Sequence, residues 1–425
     1  MTAANESRSP GPGGKVRWGI CALLFAATAL NYVDRQIIGI LEPTLAHRFH
    51  WTPDDYGDIV FWFQVAYAIG YLIFGKLIDR IGARVGFAVA VGLWTVAHIA
   101  HVWVNSLNEF IVARFIVGLG EAGNFPAALN ATAEWFPQEE RALATGLFNA
   151  GSNVGAIVTP LLVPAVTLAF GWRAAFVITG CFTVVWLIVW LAVYRTPERH
   201  PRLSTAEFQY ITGDSPTSVS PVPWRQLLRV RETWGFAIAK FLTDPIWWMY
   251  LFWLPDFLAL RHHLNLASFG VPLVVIYVVS DLGSIAGGWM SSRLIKAGVT
   301  VNAARKYTML LCALLVTPIM AAARVHSLWA AVAIIALATA AHQGFSCNLF
   351  TIPSDVFPRR AVGSLIGIGG TAGAIGGMLI AKYAGWVLER MGTFTPIFVA
   401  AGSVYFLEVL VVHLTSPRLE AARLD

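Results

Sequence analysis

An arginine and a glutamate lie inside an apolar stretch, from Asn108 to Trp135, that is long enough to cross a lipid bilayer. Arg114 and Glu121 are about two helical turns apart, so they face the same side of a helix. A charge at membrane depth costs about 2.5 kcal/mol or more and therefore faces a partner or a water-filled cavity. Asp34 and Arg35 give a second apolar stretch the same property. We therefore expect these two helices to face each other across a polar path.

The composition predicts an all-α integral membrane protein. Of the 425 residues, 57% are hydrophobic and 13% are charged, against about 25% charged in soluble proteins. Backbone polar groups in lipid must be satisfied internally, so apolar windows of about 20 residues are predicted helices. Twelve such windows are expected, at residues 18–41, 56–78, 85–104, 108–134, 140–166, 172–194, 233–257, 268–290, 303–323, 327–353, 360–384 and 395–414.

The distribution of Lys and Arg predicts the orientation in the membrane. Twenty-one of these residues fall on the side that holds the N-terminus and six fall on the other side, while Arg35, Arg114 and Lys240 lie inside spans. Positive residues accumulate in cytoplasmic loops, so both termini are expected in the cytoplasm, with the protein in the cell (inner or plasma) membrane. The net charge of +6 reflects this bias and does not indicate nucleic-acid binding.

The longest polar segment divides the helices into two groups of six. The predicted organisation is a disordered cytoplasmic N-terminus (1–17), an N-terminal six-helix bundle (18–194), a cytoplasmic linker (195–232), a C-terminal six-helix bundle (233–414) and a cytoplasmic tail (415–425). A loop sequence recurs in the two halves: Gly75-Lys-Leu-Ile-Asp-Arg80 follows the second span and Gly288-Trp-Met-Ser-Ser-Arg293 follows the eighth. A weak internal repeat of this kind is typical of transporters built from two related bundles.

The loop from Gly75 to Arg84 resembles the loop motif of the major facilitator superfamily. Six further segments resemble the organic anion transporters of the anion:cation symporter family, especially bacterial hexuronate permeases. They are Asn31 to Arg35, Ala113 to Pro126, Glu134 to Pro137, Phe148 to Gly155, Lys240 to Trp248 and Ala341 to Phe350. The resemblance implies two parallel six-helix bundles and H⁺-coupled import of a sugar acid by a monomer working through alternating access.

The intramembrane charges suit this chemistry. The predicted first span places Asp34 and Arg35 in its outer half, at a depth similar to that of Arg114. One Arg can hold a substrate carboxylate bidentately, while a carboxylate that loses its Arg partner in a dry site takes a proton. The resemblance assigns Arg35 and Arg114 to substrate and charge relay, and Asp34 and Glu121 to proton coupling. The alternative is a static ion-pair lattice that locks the two helices together.

Several polar and aromatic side chains suit a polyhydroxylated ligand. The resemblance matches Tyr32 and Tyr67 to substrate-contacting positions. Further candidates, for which the alternative is hydrogen bonding between helices, are Gln64, Asn149, Ser152, Asn153, Trp247 and Asn348. Histidines inside spans, such as His98 and His342, are interpreted as single buried polar residues and not as proton relays.

A separate group of residues is predicted to act in gating. The resemblance ties Asp79, Arg80 and Arg84 to the gate on the cytoplasmic side. On the seventh helix Lys240 has two possible partners, Asp281 of the eighth helix or the local Asp244 at i,i+4.

The sequence also argues against other classes of protein. Gly118-Leu-Gly-Glu-Ala-Gly123 matches a dinucleotide-binding pattern, but that pattern needs a strand before it and here lies within a span. No enzyme motif, metal-ligand spacing or cofactor site is predicted. Two alternatives remain open: a symporter for another organic anion (an aldonate, aldarate, dicarboxylate or aromatic acid) and a non-transporting, carrier-like sensor, although the linker and tail are short for an output domain.

Overall fold

A computed structural model describes residues 15–212, 222–420 and 422 of the chain. Within those ranges six side chains are not described: Asp79, Gln138, Glu139, Ala142, Arg359 and Arg360. Most of the predicted disordered lead and most of the Ser/Thr/Pro run in the linker lie outside the described residues, as does the side chain of the predicted gating residue Asp79.

The described residues form twelve long helical stretches. In chain order they are Val16–Phe49 (α1), Pro53–Ile78 (α2), Arg80–Trp103 (α3), Leu107–Glu121 with Asn124–Trp135 (α4), Gln138–Phe170 (α5), Trp172–Val193 (α6), Arg231–His262 (α7), Gly270–Lys296 (α8), Val301–Ala322 (α9), Leu328–Val356 (α10), Arg359–Met391 (α11) and Thr395–Thr415 (α12). Ten of them are long and apolar enough to cross a membrane on their own, and α4 and α7 complete the set. The prediction of an all-α membrane protein with twelve helices is confirmed.

Local signals account for where these helices begin and turn. The Thr52 hydroxyl accepts a hydrogen bond from the Asp55 amide, and the Asp55 carboxylate accepts one from the Thr52 amide at 2.9 Å. This capping box satisfies amides that the first turn leaves free, so α2 begins at Pro53. Ser106 and Glu109 cap α4 in the same way. Near the start of α3 the backbone turns at Gly82, whose φ of 79° favours glycine.

The first helix is longer than its predicted span, which corrects one expectation. It continues to Phe49 and not only to Leu41, with Pro43 inside it. Asp34 and Arg35 therefore lie near the middle of α1 and not in its outer half. The apolar window ended at Leu41 because Glu42 and Pro43 follow it, but the helix itself tolerates both residues.

The fourth helix breaks where a continuous span was expected. Its first part ends at Glu121 and its second begins at Asn124. The break lies where α4 packs closely on α3: a Cβ atom on Gly120 would come within 2.7 Å of the Trp94 amide nitrogen. Glu121 therefore ends a helix segment in the interior of the protein.

Small residues allow close contact between helices within each bundle. In the N-terminal bundle, a Cβ atom on Gly155 of α5 would lie 2.5 Å from the Ala29 carbonyl oxygen of α1. In the C-terminal bundle, one on Gly287 of α8 would meet the backbone of Gly344 of α10. Such close approaches allow van der Waals contacts and hydrogen bonds between helices. These interactions hold membrane helices together, because lipid provides no hydrophobic driving force for their association.

The two bundles meet at one end of the molecule. We call the end where α1 begins and α12 finishes the terminal end, and the end where α1 finishes the far end. Cross-bundle contacts toward the far end include Lys382 of α11 with Asp54 (3.6 Å) and Asp58 of α2. The Tyr56 hydroxyl donates to the Phe252 carbonyl at 2.9 Å. Among the described residues, the hydrogen bonds, ion pairs and ring contacts that join the bundles lie between the centre and the far end, which is therefore closed.

Candidate functional site

The Arg35 guanidinium is the centre of the site. Its Nε donates to the Glu121 carboxylate at 2.8 Å, and its Nη2 donates to the Asn31 side chain at 2.9 Å. The Arg35 side chain is 3% exposed and that of Glu121 is fully buried. Arg35 lies 14 residues before the end of α1 (49 − 35) and Glu121 lies 14 residues after the start of α4 (121 − 107), so the two charges lie at the same depth. The pair joins α1 and α4, the two helices that were expected to face each other, although the sequence did not specify which acid pairs with which arginine.

Three aromatic rings surround this guanidinium. The Arg35 Cζ atom lies 4.8 Å from the ring centroid of Tyr32, 4.7 Å from that of Tyr67 and 5.1 Å from that of Trp248. These distances allow cation–π attraction, which is strongest where water is excluded. We call Arg35 and the rings of Tyr32, Tyr67 and Trp248 the Arg35 cage. Because Trp248 belongs to the C-terminal bundle, the cage contains residues from both halves of the molecule.

Arg114 lies next to this pair but makes a different kind of contact. It donates to the backbone carbonyls of Asp34 at 3.3 Å and Arg35 at 3.1 Å, and its Cζ lies 4.6 Å above the Phe63 ring. No ion pair of Arg114 with a carboxylate is present among the described residues. Arg114 thus stabilises the α1 backbone under the site and adds a positive charge beside Glu121.

Asp34 points away from both arginines, toward α3 and α6. Its carboxylate accepts a hydrogen bond from Thr183 at 3.0 Å, and His98 Nε2 lies 3.2 Å from its other oxygen. His98 also contacts the Thr179 hydroxyl at 2.8 Å. The sequence interpretation of His98 as an isolated polar residue did not anticipate this contact, because spacing along α3 does not indicate what faces it.

The other predicted substrate residues are distributed unevenly around the cage. Gln64 of α2 is fully buried beside Gly377 of α11, and neither its amide nitrogen nor its oxygen has a described partner. On α5, Asn149 is exposed, and the Ser152 hydroxyl donates to the Asn149 carbonyl at 2.6 Å and to the Asn153 side chain at 3.3 Å.

The two predicted substrate residues in the C-terminal bundle are placed differently: Trp247 contacts Tyr32 beside Arg35, whereas Asn348 does not contact this group. Trp247 stacks on His342, with ring centroids 5.6 Å apart, while its neighbour Trp248 contacts Arg35. Asn348 donates to the carbonyls of Gly287 and Gly344 at 3.2 and 2.8 Å, so it fastens α8 to α10. The structure does not bring Asn348 to the cage.

The predicted gating residues also resolve into particular contacts. Lys240 pairs with Asp244 at 2.5 Å on its own helix, so the alternative pair with Asp281 does not form in this conformation. Arg84 donates to the Leu191 carbonyl at the end of α6 at 2.7 Å, whereas Arg80 is exposed.

Three buried acids were not among the predicted site residues. Glu42 of α1 and Asp256 of α7 face each other across the bundle interface, and Glu408 of α12 accepts a hydrogen bond from Thr243 at 2.5 Å. The available signal was an acid within an apolar stretch. Glu42 lies one residue beyond the predicted first span, whereas Asp256 and Glu408 lie inside the predicted seventh and twelfth spans and carry this signal.

A helical membrane protein with two bundles and a buried charge cluster at their meeting point is a transporter architecture, and the chain belongs to the major facilitator superfamily. The family model described as Major Facilitator Superfamily matches residues 24–381. The chain is 30% identical over 417 residues to the hexuronate transporter of Escherichia coli K12, covering 96% of each chain. It is 33% identical over 280 residues to the galacturonate transporter of Dickeya chrysanthemi, covering 65% of this chain and 81% of that one.

A solved structure supports the fold. The chain superposes with a TM-score of 0.73 and 16% identity on a bacterial homologue of the human lysosomal transporter Spinster in an inward-facing and occupied conformation, covering 96% of each chain. The superfamily resemblance predicted from the loop motif is therefore confirmed, and so is the resemblance to sugar acid transporters.

Proposed function

We propose that the protein is an H⁺-coupled symporter that imports a sugar acid anion, such as glucuronate or galacturonate, by alternating access. The Arg35 cage carries this proposal. A buried guanidinium whose carboxylate partner is Glu121 is a place where an anionic substrate can replace an internal anion. The similarity to hexuronate and galacturonate transporters supports the choice of substrate class.

The cage has the chemistry to bind a sugar acid. A guanidinium carries five N–H donors in a planar fork, and the described contacts with Glu121 and Asn31 use two of its nitrogens. The substrate carboxylate would take a bidentate position on the remaining donors. The rings of Tyr32, Tyr67 and Trp248 offer flat apolar faces to the sugar, and the buried amide of Gln64 offers a donor and an acceptor to its hydroxyl groups.

Coupling to protons would follow from competition for Arg35. When the substrate carboxylate occupies the guanidinium, Glu121 loses its counter-charge in a buried site, and an isolated carboxylate there is stabilised by binding a proton. Asp34, held by Thr183 and His98, supplies a second acid one residue from Arg35 in sequence. Arg114 holds the α1 backbone between them and favours release of the proton once the substrate has left.

The topology orients the closed end relative to the membrane. The excess of Lys and Arg on the terminal side supports cytoplasmic termini in the cell (inner or plasma) membrane. The closed far end then faces the outside, so this conformation opens toward the cytoplasm. A single chain contains both halves of the cage, which supports a functional monomer.

Counterflow in proteoliposomes tests this proposal. Labelled glucuronate and galacturonate are offered to the wild type, to Glu121→Gln, and to the exposed-site control Glu389→Gln. We expect Glu121→Gln to exchange substrate but not to accumulate it under an imposed pH gradient, while the control does both. Failure of the wild type to exchange either uronate contradicts the substrate class, and a panel of aldonates, aldarates and other carboxylates then identifies the anion. Accumulation by Glu121→Gln at the wild-type level contradicts the coupling role.

A further inference from the structure

Two acidic side chains meet between the bundles at the closed end, away from the Arg35 cage. Glu42 of α1 is 5% exposed and Asp256 of α7 is 7% exposed. Their carboxyl groups lie within hydrogen-bonding reach of each other. Glu42 stands seven residues before the end of α1 and Asp256 six before the end of α7, so both lie about 10 Å below the far end.

The packing of the two helices forces this meeting. A Cβ atom on Gly39, one turn before Glu42, would lie 3.1 Å from the Leu251 carbonyl oxygen and 3.3 Å from the Phe252 Cα. Phe252 in turn lies one helical turn before Asp256. The two helices therefore cross at Gly39 and Phe252, and the two acids lie side by side one helical turn closer to the closed end.

A proline stands next to each acid. Pro43 follows Glu42 and Pro255 precedes Asp256, both inside their helices. A proline removes the hydrogen bond to the carbonyl four residues earlier, which releases the Gly39 and Leu251 carbonyls at the crossing point. Both helices can bend at this level, so the distance between the acids can change when the bundles move.

The chemistry of the pair requires a proton. Two carboxylates cannot hydrogen-bond each other, because both only accept, but a carboxylic acid and a carboxylate can. Like charges this close and this buried would repel strongly. One oxygen of Glu42, Oε2, is buried and accepts no described hydrogen bond. A proton shared with Asp256 would satisfy this oxygen.

The groups around the pair do not supply a compensating charge. Tyr56 of α2 interacts electrostatically with both acids, and also with Arg114 of α4 and Tyr277 of α8. The Tyr56 hydroxyl already donates to the Phe252 carbonyl. Tyrosine and arginine side chains ordinarily titrate at about pH 10 and above about pH 12, so between pH 5 and 9 the pair itself is the titrating unit among these groups.

We propose that Glu42 and Asp256 form a proton-binding site that exists only while the far end is closed. Closure brings the two carboxyl groups together around one shared proton, and opening separates them into two hydrated carboxylates. The closed state therefore binds one more proton than the open state. By linkage, acid on the far side favours closure and alkali favours opening. This site is separate from the Glu121 relay and does not depend on the identity of the substrate.

The opening equilibrium is measurable as a distance across the far end. Spin labels are placed at Ala169, at the end of α5, and Ala330, at the start of α10, both exposed, in full-length protein whose four native cysteines are replaced. Asp34→Asn and Glu121→Gln are added so that the relay does not titrate. Double electron–electron resonance then gives the open and closed populations from pH 5 to 9.

We expect the ratio of open to closed molecules to rise with pH by up to tenfold per pH unit, which is the limit for release of one proton. Glu42→Gln and, independently, Asp256→Asn should remove this dependence and keep the far end closed at every pH, because each amide still donates a hydrogen bond to the remaining carboxylate. The exposed-site control Glu389→Gln should retain the full dependence. The proposal is wrong if the ratio of open to closed molecules does not depend on pH before these substitutions. It is also wrong if the ratio still depends on pH to the original extent in Glu42→Gln and in Asp256→Asn.

Discussion

The centres of the two bundles handle buried charge differently. In the N-terminal bundle, Arg35 is an almost fully buried cation whose carboxylate partner, Glu121, comes from another helix. In the C-terminal bundle, Lys240 pairs with Asp244 on the same helix, and Asp244 is 22% exposed. A partner on another helix can be exchanged when helices move, whereas an i,i+4 partner moves with its own helix. We therefore expect the exchangeable charge to be in the N-terminal bundle.

The bundles nevertheless share one motif. In each, a threonine hydroxyl bridges the first and last helices by donating to a buried acid: Thr183 of α6 to Asp34 of α1, and Thr243 of α7 to Glu408 of α12. In the N-terminal bundle the acid lies on the first helix and the threonine on the last, whereas in the C-terminal bundle the threonine lies on the first helix and the acid on the last. Only the N-terminal acid adjoins the arginine cage, so the same hydrogen bond is expected to affect coupling in one bundle and stability in the other.

Arg35→Lys should have the largest effect. Lysine keeps the charge but loses the planar fork that fits a carboxylate and stacks on aromatic rings. We expect apparent substrate affinity to fall about 100-fold, equivalent to about 2.7 kcal/mol. Equilibrium binding of uronate to the purified protein measures the change. Arg390→Lys, at an exposed site, is the control, and near-normal binding by Arg35→Lys would remove Arg35 as the anion site.

Replacing one acid in each bundle sharpens the contrast. With one coupled proton, a gradient of one pH unit supports up to about tenfold accumulation, since it supplies about 1.36 kcal/mol. Asp34→Asn should lose most of that accumulation while still exchanging substrate. Asp244→Asn should accumulate within about threefold of wild type, because the Asp244 carboxylate pairs with Lys240 on its own helix and is not a partner of Arg35. Equal losses in the two variants would show that the bundles share the coupling task.

The sequence predicted the helices and the charged centre for different reasons. Apolar windows revealed the spans because lipid permits few alternatives for a polar backbone. That α1 and α4 face each other could be predicted, because charges at membrane depth demand a partner or water, but the Arg35–Glu121 pair itself could not, because the predicted spans placed Asp34 and not Glu121 at the depth of Arg114. The partner of Arg114 could not be predicted, because helical spacing indicates a face and not a contact, and backbone carbonyls leave no mark in the sequence. For the same reason, the sequence left Lys240 with two possible acids.

Some predictions were wrong because the spans were defined by windows of apolar residues. Ending the first span at Leu41 hid Glu42, although α1 continues beyond Pro43. The break after Glu121 was also missed, since Gly120 and Gly123 were interpreted only as part of a rejected dinucleotide-binding pattern inside a continuous span. Their tight contacts with α3 became visible only in three dimensions. Each error lies where a helix departs from a uniform apolar cylinder, and these are the places where the polar groups of this protein collect.

Removing one ring from the Arg35 cage should have a moderate effect. Tyr67→Leu deletes a cation–π contact worth about 1 kcal/mol, so we expect about fivefold weaker substrate binding. Tyr67→Phe keeps the ring and should stay within about twofold. Binding titrations on both variants separate the ring from its hydroxyl. A larger loss in Tyr67→Phe than expected would instead indicate a hydrogen bond from the Tyr67 hydroxyl to the substrate.

The two threonines provide the smallest and most selective test of the comparison. Thr183→Val and Thr243→Val each delete one hydroxyl that donates to a buried carboxylate, a hydrogen bond with a net contribution of about 1 kcal/mol. Both variants should melt at a slightly lower temperature in detergent, because each loses a link between the first and last helices of its bundle. Accumulation under a pH gradient should fall about threefold in Thr183→Val, since the Asp34 carboxylate then loses the hydroxyl donor that holds it between α3 and α6. Thr243→Val should accumulate substrate normally, because Glu408 lies outside the cage. A coupling defect in Thr243→Val with normal coupling in Thr183→Val would reverse the assignment and place the proton relay in the C-terminal bundle.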